Sequence, residues 1–188
     1  MKTRDAIGGI VCGLAICLVA TDFLPASIMI WILLPAGALV CLWLASLIGK
    51  KWLFAFQVAK HLLVGALATV VDVRLFEFLV SVLGIITNLY IVKGVSFIAS
   101  TGIKYLGNKY WAFEKQERDA WQKEMAYFFC ISVVGLLLDV AAFYFFTTIM
   151  TAQFGLSALL WRELSVILAA AIAAAWNFSG YKFLVFKK

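Results

Sequence analysis

The sequence predicts an all-α integral membrane protein with six transmembrane helices and both termini in the cytoplasm. Three observations lead to this fold class: an excess of hydrophobic over charged residues, apolar runs long enough to span a bilayer, and basic residues at the ends of those runs. Hydrophobic residues make up 65 % of the chain and charged residues only 14 %, whereas a soluble domain carries about 25 % charge. Lipid must therefore be the solvent for most of the molecule.

Six apolar runs are long enough to cross the bilayer, since about 20 residues of α-helix span its hydrocarbon core. A helix is expected for each run because backbone groups in lipid must bond within their own segment. The first two runs are joined by the short turn TDFLPAS and predict a hairpin over residues 1–56, and the other four predict a four-helix domain over residues 57–188. In order, the predicted spans are about Ala6–Leu24, Ala26–Ile48, Lys60–Leu83, Thr87–Gly107, Met125–Met150 and Leu160–Phe183.

Basic residues set the predicted orientation. Most of the sixteen Lys and Arg residues lie at the run ends on the side of the two termini, and the opposite turns, around Asp22, Gly84–Asn88 and Thr151–Ser157, contain none. Because Lys and Arg favour the cytoplasmic side of a membrane, both termini are predicted to be cytoplasmic. The net charge of +6 therefore indicates contact with anionic lipid headgroups, and nucleic acid is not expected as a partner.

The sequence offers little from which a catalytic or metal site could be built. His61 is the single histidine, and its place beside Lys60 at a span end predicts an interfacial position without chemistry. Neither a nucleotide-binding fingerprint nor a Cys/His metal spacing is present. We therefore expect no enzymatic activity, no metal and no cofactor. The four cysteines all lie inside apolar runs, as Cys12, Cys17, Cys41 and Cys130.

The last four spans form two similar halves, residues 57–115 and 124–188. LATVVDVRLFEFLV in the third span matches VGLLLDVAAFYFFT in the fifth, and YLGNKYWAF matches FSGYKFLVF. The offset is 67 in the first block (139 − 72) and 73 in the second (180 − 107). Each half starts and ends on the cytoplasmic side, which predicts a pseudo-twofold axis along the membrane normal. The equated pairs are Asp72 with Asp139, Gly107 with Gly180, Lys109 with Lys182 and Phe113 with Phe186.

A helix with an embedded aspartate, followed by a helix that closes in a basic and aromatic segment, resembles the GtrA-like family. The resemblance covers about residues 57–188, and the first hairpin lies outside it. Members of that family are small four-helix membrane proteins associated with moving polyprenyl-phosphate-linked sugars across the cytoplasmic membrane. The residues that match the family pattern are Asn108-Lys109, Trp111-Ala112-Phe113 and Asn177-Phe178. The residues that depart from it are Lys104, Tyr181 and Leu184.

The resemblance implies a transporter: a flippase, or a flippase subunit, for a polyprenyl-phosphate-linked monosaccharide used in cell-surface polysaccharide glycosylation. It implies the inner (cytoplasmic) membrane as location, with the lipid-linked sugar and membrane lipid as partners. Two alternatives stay open. The protein could instead recruit a membrane glycosyltransferase through the hairpin and the charged loop Glu114–Glu124, or it could export a small cation or drug through Asp72 and Asp139. Because four spans make a thin bundle, a homodimer is also expected.

Charged residues inside the spans are candidate substrate-binding groups, since each is costly in lipid unless it is paired or faces water. Asp72 and Asp139, near mid-depth, would form a polar centre that meets a sugar headgroup or takes up a proton. Alternatively, each bonds a neighbouring backbone or hydroxyl group and holds helices together. Arg74 could hold a lipid phosphate, but it lies three residues from Glu77 and a pair between them is favoured. Lys93 would reach the outer surface or an acidic partner such as Asp72 or Glu77.

The closing segments, Lys104–Lys115 and Asn177–Lys188, complete the predicted headgroup path. Their aromatic residues suit the headgroup region and their lysines mark the cytoplasmic side, so the simpler interpretation makes both segments interfacial anchors. A second interpretation gives their lysines the task of binding phosphate at the entry face of a flippase. The candidate residues that the closing segments contribute are Asn108, Lys109, Asn177 and Lys182.

Overall fold

The computed structural model describes residues 1–23, 28–83, 89–115, 121–150 and 152–186. These residues form six α-helices, three of which continue into a π-helical turn, and the described ranges contain no strand. The predicted turns at 24–27 and 84–88 and the middle of the charged loop, 116–120, lie outside the described residues. The elements are α1 Thr3–Phe23, α2 Ile28–Gly49, α3 Leu53–Leu83, α4 Leu89–Gly107 with π1 Asn108–Ala112, α5 Trp121–Tyr144 with π2 Phe145–Ile149, and α6 Ala158–Gly180 with π3 Tyr181–Val185.

The helices agree with the all-α prediction, and the protein is a multi-pass membrane protein. Within the described residues, four helical stretches are long and apolar enough to cross a membrane: Thr3–Thr21, Ile28–Gly49, Trp121–Ile149 and Leu160–Val185. The helices α3 and α4 are not among them, so six crossings and the cytoplasmic position of the termini stay predictions. The helix α3 begins at Leu53, before the predicted start at Lys60. Lys60 is buried within the protein, so its charge does not mark the end of the helix.

The chain divides into two compact units, Met1–Gln116 and Glu117–Lys188. The first unit contains α1 to α4 and π1, and the second contains α5, α6 and their π turns. In the first unit, α1 packs on α2, α3 packs on α4, and both α1 and α2 pack on α3. The N-terminal hairpin, which is formed by α1 and α2, is therefore part of the same unit as the first half of the repeat.

Two glycines bring the helices of the hairpin together. A Cβ at Gly13 would collide with the backbone of Pro35, and a Cβ at Gly9 would lie 2.7 Å from the Leu42 side chain. Small residues at a spacing of four are a usual means by which membrane helices approach closely. Pro35 and Leu42 are both buried, so this contact forms the core of the hairpin.

Each unit contains a close contact between two of its own helices, and the two contacts are equivalent in sequence. A Cβ at Gly107 would lie 2.8 Å from Val64 Cγ1, and a Cβ at Gly180 would lie 2.6 Å from Ile131 Cγ2. The sequence offsets equate these residues, because 131 − 64 is 67 and 180 − 107 is 73. The same close approach of two helices therefore occurs at the same place in each unit.

A π-helical turn follows each of these two glycines. In π1 the Phe113 N–H donates to the Asn108 carbonyl over 2.9 Å, and in π3 the Phe186 N–H donates to the Tyr181 carbonyl over 2.7 Å. Both turns span five residues, and the limits of π3 follow those of π1 at the same offset that equates the two glycines. Such turns hold an extra residue and are frequent at functional sites. The two closing segments thus share a backbone course as well as a sequence pattern.

Candidate functional site

A buried ion pair joins the N-terminal hairpin to α3. Lys60 Nζ lies 2.7 Å from Asp5 Oδ1, and the two side chains are only 2 % and 1 % exposed. The ammonium also donates to the Trp111 carbonyl over 3.3 Å and lies 4.3 Å from the centre of the Phe56 ring. Burial of an ammonium needs this many partners, since an unpaired charge in a protein interior is strongly destabilising.

Asp5 receives donors from three directions. Besides Lys60, the Lys2 backbone N–H donates to Oδ2 over 2.9 Å and the Trp111 indole N–H donates to Oδ1 over 3.1 Å. The indole also covers Gly8, where a Cβ would lie 2.5 Å from the ring. Asp5 and Trp111 were absent from the candidate residues, although an acid at the start of an apolar helix and a Trp in a closing segment were both visible in the sequence.

Glu114 completes this cluster at the end of the first closing segment. It accepts an ion pair from Arg4 and others from Lys2 at 3.2 Å and Lys60 at 3.3 Å. Its backbone has a φ of 53°, an uncommon value for a residue with a side chain. Partial burial raises the pKa of Glu114, but the hydrogen bonds from Arg4, Lys2 and Lys60 outweigh it and lower the pKa to about 2.

A second polar group lies between α3 and α4. Asp72 Oδ2 lies 2.5 Å from Lys93 Nζ, and the Ser96 hydroxyl donates to Asp72 Oδ1 over 2.7 Å. Lys93 is 52 % exposed, whereas Asp72 is 19 % exposed and Ser96 is fully buried. Of the two positions predicted for Lys93, the structure therefore has the one in which it meets an acidic partner. The bond from Ser96 also agrees with the helix-holding interpretation of Asp72.

Arg74 forms the predicted pair with Glu77. The distance from Nη1 to Glu77 Oε2 is 2.6 Å, so this prediction is confirmed. The other terminal nitrogen of Arg74 donates to the Leu18 carbonyl of α1. Arg74 therefore anchors the hairpin at one end of its contact with α3, as Lys60 does at the other.

The first closing segment is held by a buried polar pair. His61 Nδ1 lies 2.7 Å from Asn108 Oδ1, and the Asn108 amide donates to the Lys104 carbonyl over 2.7 Å. Because the amide oxygen accepts, the His61 Nδ1 carries the proton of this bond. His61 is 4 % exposed and Asn108 is fully buried, so the interfacial position predicted for His61 is wrong and its side chain lies inside the protein.

The second unit replaces this polar pair by an aromatic one. Phe128 and Tyr181, which the offsets equate with His61 and Asn108, stack with ring centres 4.0 Å apart. The Tyr181 hydroxyl lies 2.6 Å from the Ser132 hydroxyl. The position that anchors the π turn is thus the same in both units, while its chemistry differs.

The two closing lysines have matching aromatic surroundings. Lys109 Nζ lies 5.6 Å from the centre of the Tyr105 ring and 5.9 Å from that of Tyr110, and it donates to the Tyr105 hydroxyl over 3.1 Å. Lys182 Nζ lies 5.6 Å from the Phe178 ring and 5.7 Å from the Phe183 ring. Lys109 is 1 % exposed, whereas Lys182 is half-buried. A phosphate can therefore approach Lys182 more readily than Lys109.

Asn177 and Asp139 have surroundings unlike those of their counterparts in the first unit. Asn177 is 8 % exposed, its amide lies against Gly135, and its Oδ1 has no hydrogen-bond donor among the described residues. Asp139 is half-buried. The offset of the second block places Val166 and Ala169 where Lys93 and Ser96 stand in the first unit. The lysine and the serine that satisfy Asp72 therefore have no polar equivalents beside Asp139.

In the first unit the candidate residues lie in separate groups rather than in one site. Asp72 and Lys93 form one group, Asn108 and Lys109 lie in the first closing segment, and Arg74 belongs to the hairpin contact. The remaining candidates, Asp139, Asn177 and Lys182, lie in the second unit. Within the residues that the structure describes, no three His, Cys, Asp or Glu side chains are placed to hold a metal ion.

Comparison with known proteins identifies a family for most of the chain. The family model described as GtrA/DPMS, transmembrane domain, matches residues 60–186, about two thirds of the sequence. The match begins at Lys60, within α3, and continues through α4, α5 and α6. The whole N-terminal hairpin lies outside it. No curated protein and no solved structure matches the chain.

Proposed function

Because the chain belongs to the GtrA/DPMS transmembrane domain family, we propose that it is a flippase, or a flippase subunit, for a polyprenyl-phosphate-linked monosaccharide. It works in the cytoplasmic membrane, with both termini in the cytoplasm, and supplies the sugar for glycosylation of a cell-surface polysaccharide. The family places the protein among those involved with lipid-linked sugars, and the transport step is the proposal.

The observation that carries the proposal is the polar group of Asp72, Lys93 and Ser96. Placing an aspartate, a lysine and a serine hydroxyl in lipid costs free energy. Polar groups at such positions therefore commonly mark a functional site. Lys93 is 52 % exposed, so a headgroup phosphate can approach its ammonium. Asp72 can then accept a hydroxyl of the sugar in place of the ammonium. This exchange keeps every polar group bonded while the headgroup passes.

The closing segments support the same proposal at the cytoplasmic face. Lys182 is half-buried beside the rings of Phe178 and Phe183. Lys109 is held in the equivalent place by Tyr105 but is buried. We therefore assign the first contact with the lipid phosphate to Lys182, and we give Lys109 the task of keeping π1 in place.

A second candidate function is recruitment of a membrane glycosyltransferase without transport. The observation that favours it is the pairing of charges inside the first unit. Lys93 lies 2.5 Å from Asp72, Arg74 lies 2.6 Å from Glu77, and Lys60 is bound by Asp5. Charges that neutralise one another in this way can serve packing alone. In this case the protein, as a monomer or as the expected homodimer, would act as a membrane platform.

Proteoliposomes separate the two functions. The purified full chain is reconstituted without any glycosyltransferase, and the movement of polyprenyl-phosphate-linked glucose, radiolabelled in the sugar, is followed between the leaflets. We expect transport by the wild type and a rate at least tenfold lower for Asp72→Asn. Ser81→Ala is the matched control on α3, because its hydroxyl donates to the Phe78 carbonyl of the same helix.

The outcomes are distinct. Transport by Asp72→Asn at the wild-type rate contradicts the assignment of the polar group. Absence of transport by the folded wild type, together with co-purification of a glycosyltransferase, supports the recruiting function instead. Thermal stability of each variant is measured in parallel, so that a loss of transport caused by unfolding is recognised.

A further inference from the structure

One face of α3, from Phe56 to Arg74, is in contact with the N-terminal hairpin. The face consists of residues spaced alternately four and three apart, which places them in one stripe on a helix. Phe56 lies against Gly49, Lys60 binds Asp5, and Arg74 donates to the Leu18 carbonyl. All positions of this α3 stripe are buried or half-buried: Phe56, Lys60, Leu63, Leu67, Val70 and Arg74.

Within the described residues of the second unit, the equivalent stripe on α5 has no hairpin packed on it. The offset of 67 that equates α3 with α5 converts each position of the α3 stripe into one on α5. Tyr127 is 61 % exposed where Lys60 is 1 % exposed, and Leu137 is 63 % exposed where Val70 is 7 % exposed. Every position of this α5 stripe is exposed: Lys123, Tyr127, Cys130, Val134, Leu137 and Ala141.

The α5 stripe does not suit a second hairpin. The hairpin is held on α3 by Lys60 and Arg74, and the α5 stripe has Tyr127 and Ala141 at those positions. A hairpin from a second copy of the chain, seated on α5, would bury its Asp5 without a basic partner. An unpaired buried carboxylate is strongly destabilising, so the charge pattern disfavours this occupant.

The chemistry of the α5 stripe fits a lipid with a charged head and one long tail. Lys123, at one end, is the single charged residue of the stripe, and the positions after it are aromatic, aliphatic or small. From Lys123 to Ala141 the helix rises by about 27 Å, which is close to the thickness of the hydrocarbon core. The exposed Lys123 ammonium stands where a headgroup phosphate would lie.

We infer that the α5 stripe is the docking surface for the isoprenoid chain of the lipid-linked substrate, with Lys123 beside the phosphate. The inference rests on the substrate class of the proposed function and adds the place where the tail is held. It also gives the hairpin a role, since the hairpin keeps lipid away from the equivalent stripe on α3. The two halves are therefore unequal: one docks the hairpin and the other docks the lipid.

Photo-crosslinking in nanodiscs tests the inference. The full chain is embedded in phosphatidylcholine and phosphatidylglycerol with a polyprenyl phosphate that carries a diazirine in its isoprenoid chain, and the labelled residues are mapped by mass spectrometry. We expect label on Tyr127, Val134 and Leu137 and none on Val70. Unlabelled polyprenyl phosphate in tenfold excess lowers the labelling at least fivefold, and the same amount of added phosphatidylglycerol does not.

Substitution of the basic residue gives a second readout. Lys123→Glu is expected to reduce labelling of the α5 stripe at least fivefold, because the phosphate then faces a carboxylate. Lys51→Glu, which changes another exposed lysine at a helix end, is the matched control and leaves the labelling unchanged. Equal loss in both variants would show a general effect of surface charge and would overturn the assignment of Lys123.

The remaining outcomes each decide the matter. Label that phosphatidylglycerol displaces as well as polyprenyl phosphate does would mean that the stripe meets bulk lipid only. Crosslinks within the stripe to a second copy or to another protein would also overturn the inference. Because labelling needs no transport, specific label on α5 without flipping refutes the proposed function alone, and flipping without such label refutes this inference alone.

Discussion

Replacement of Lys60 by methionine tests how the N-terminal hairpin is held on α3. In the wild type, Lys60 Nζ lies 2.7 Å from Asp5 Oδ1, and the side chains are 2 % and 1 % exposed. Methionine keeps the unbranched shape of the aliphatic part of lysine and removes the ammonium. The donors that remain on Asp5 are the Lys2 backbone N–H and the Trp111 indole. Asp5→Asn in the same background removes the buried charge that the substitution would leave behind.

The geometry of the pair sets the expected magnitude. At 2.7 Å and an effective dielectric constant of about 20, the attraction between the two charges is about 6 kcal/mol. Desolvation of the ammonium offsets part of it, and the loss of one partner from a buried pair typically costs about 3–5 kcal/mol. Since Asp5 retains two donors, we expect Lys60→Met to lower the free energy of unfolding by about 3 kcal/mol. The double variant with Asp5→Asn should lie within about 1 kcal/mol of the wild type.

Thermal unfolding of the purified full chain in detergent measures both effects. A chain of this size shifts its Tm by about 2–4 °C per kcal/mol, so Lys60→Met should melt roughly 6–12 °C below the wild type. Lys51→Met, at an exposed position, serves as the control and should shift little. If the double variant is as unstable as the sum of its two single variants, the residues do not interact energetically, and the ion pair is not what holds the hairpin.

Three further predictions concern the closing segments. Glu114 has its pKa lowered to about 2, so its ion pairs stabilise the fold above the unfolded pKa of about 4.3 and are lost as the pH falls toward 2. We expect a pH-dependent loss of about 1 kcal/mol, after allowance for solvent screening, that is absent from Glu114→Gln in acid unfolding. Gly107→Ala should lower the free energy of unfolding by about 1–3 kcal/mol, since the new Cβ lies 2.8 Å from the facing valine. Gly65→Ala, with nothing within 4 Å of its new Cβ, is the control and should not destabilise. Equal Tm values for the two variants would contradict the close packing. Tyr181→Phe removes one hydroxyl hydrogen bond and leaves the aromatic stack, so a loss of about 1 kcal/mol is expected in the same assay, and a loss above about 3 kcal/mol would mean that more than this bond is affected.

Periodicity and residue spacing were enough to predict the local features of the fold. The six helices follow from apolar runs of sufficient length, and the pair between Arg74 and Glu77 follows from three-residue spacing on one helix. The internal comparison of the two halves equates Gly107 with Gly180, and the structure places each against the matching residue of the preceding helix. All of these features depend on neighbours along the chain or on a direct internal comparison.

Burial of the polar residues could not be predicted in the same way. Lys60 and His61 lie at the start of an apolar run, where a charged group normally indicates the membrane surface. The helix instead begins earlier, at Leu53, and both side chains are buried because partners arrive from distant segments. Asp5 comes from the first helix and Asn108 from the first closing segment. The two partners of each contact belong to different helices, and no pattern within a single helix reports such contacts.

The π turns also carry information about the order in which the chain acquired its parts. Both halves have a five-residue π turn after the equated glycines, and independent insertion of an extra residue at two equivalent points is an improbable history. If the halves descend from one segment, the insertion is older than the duplication. The anchors of the hairpin differ in this respect, since Lys60 and Trp111 correspond to Tyr127 and Leu184. On that descent, the ancestral unit had its π turn first, and specialisation of one copy to hold the hairpin came later.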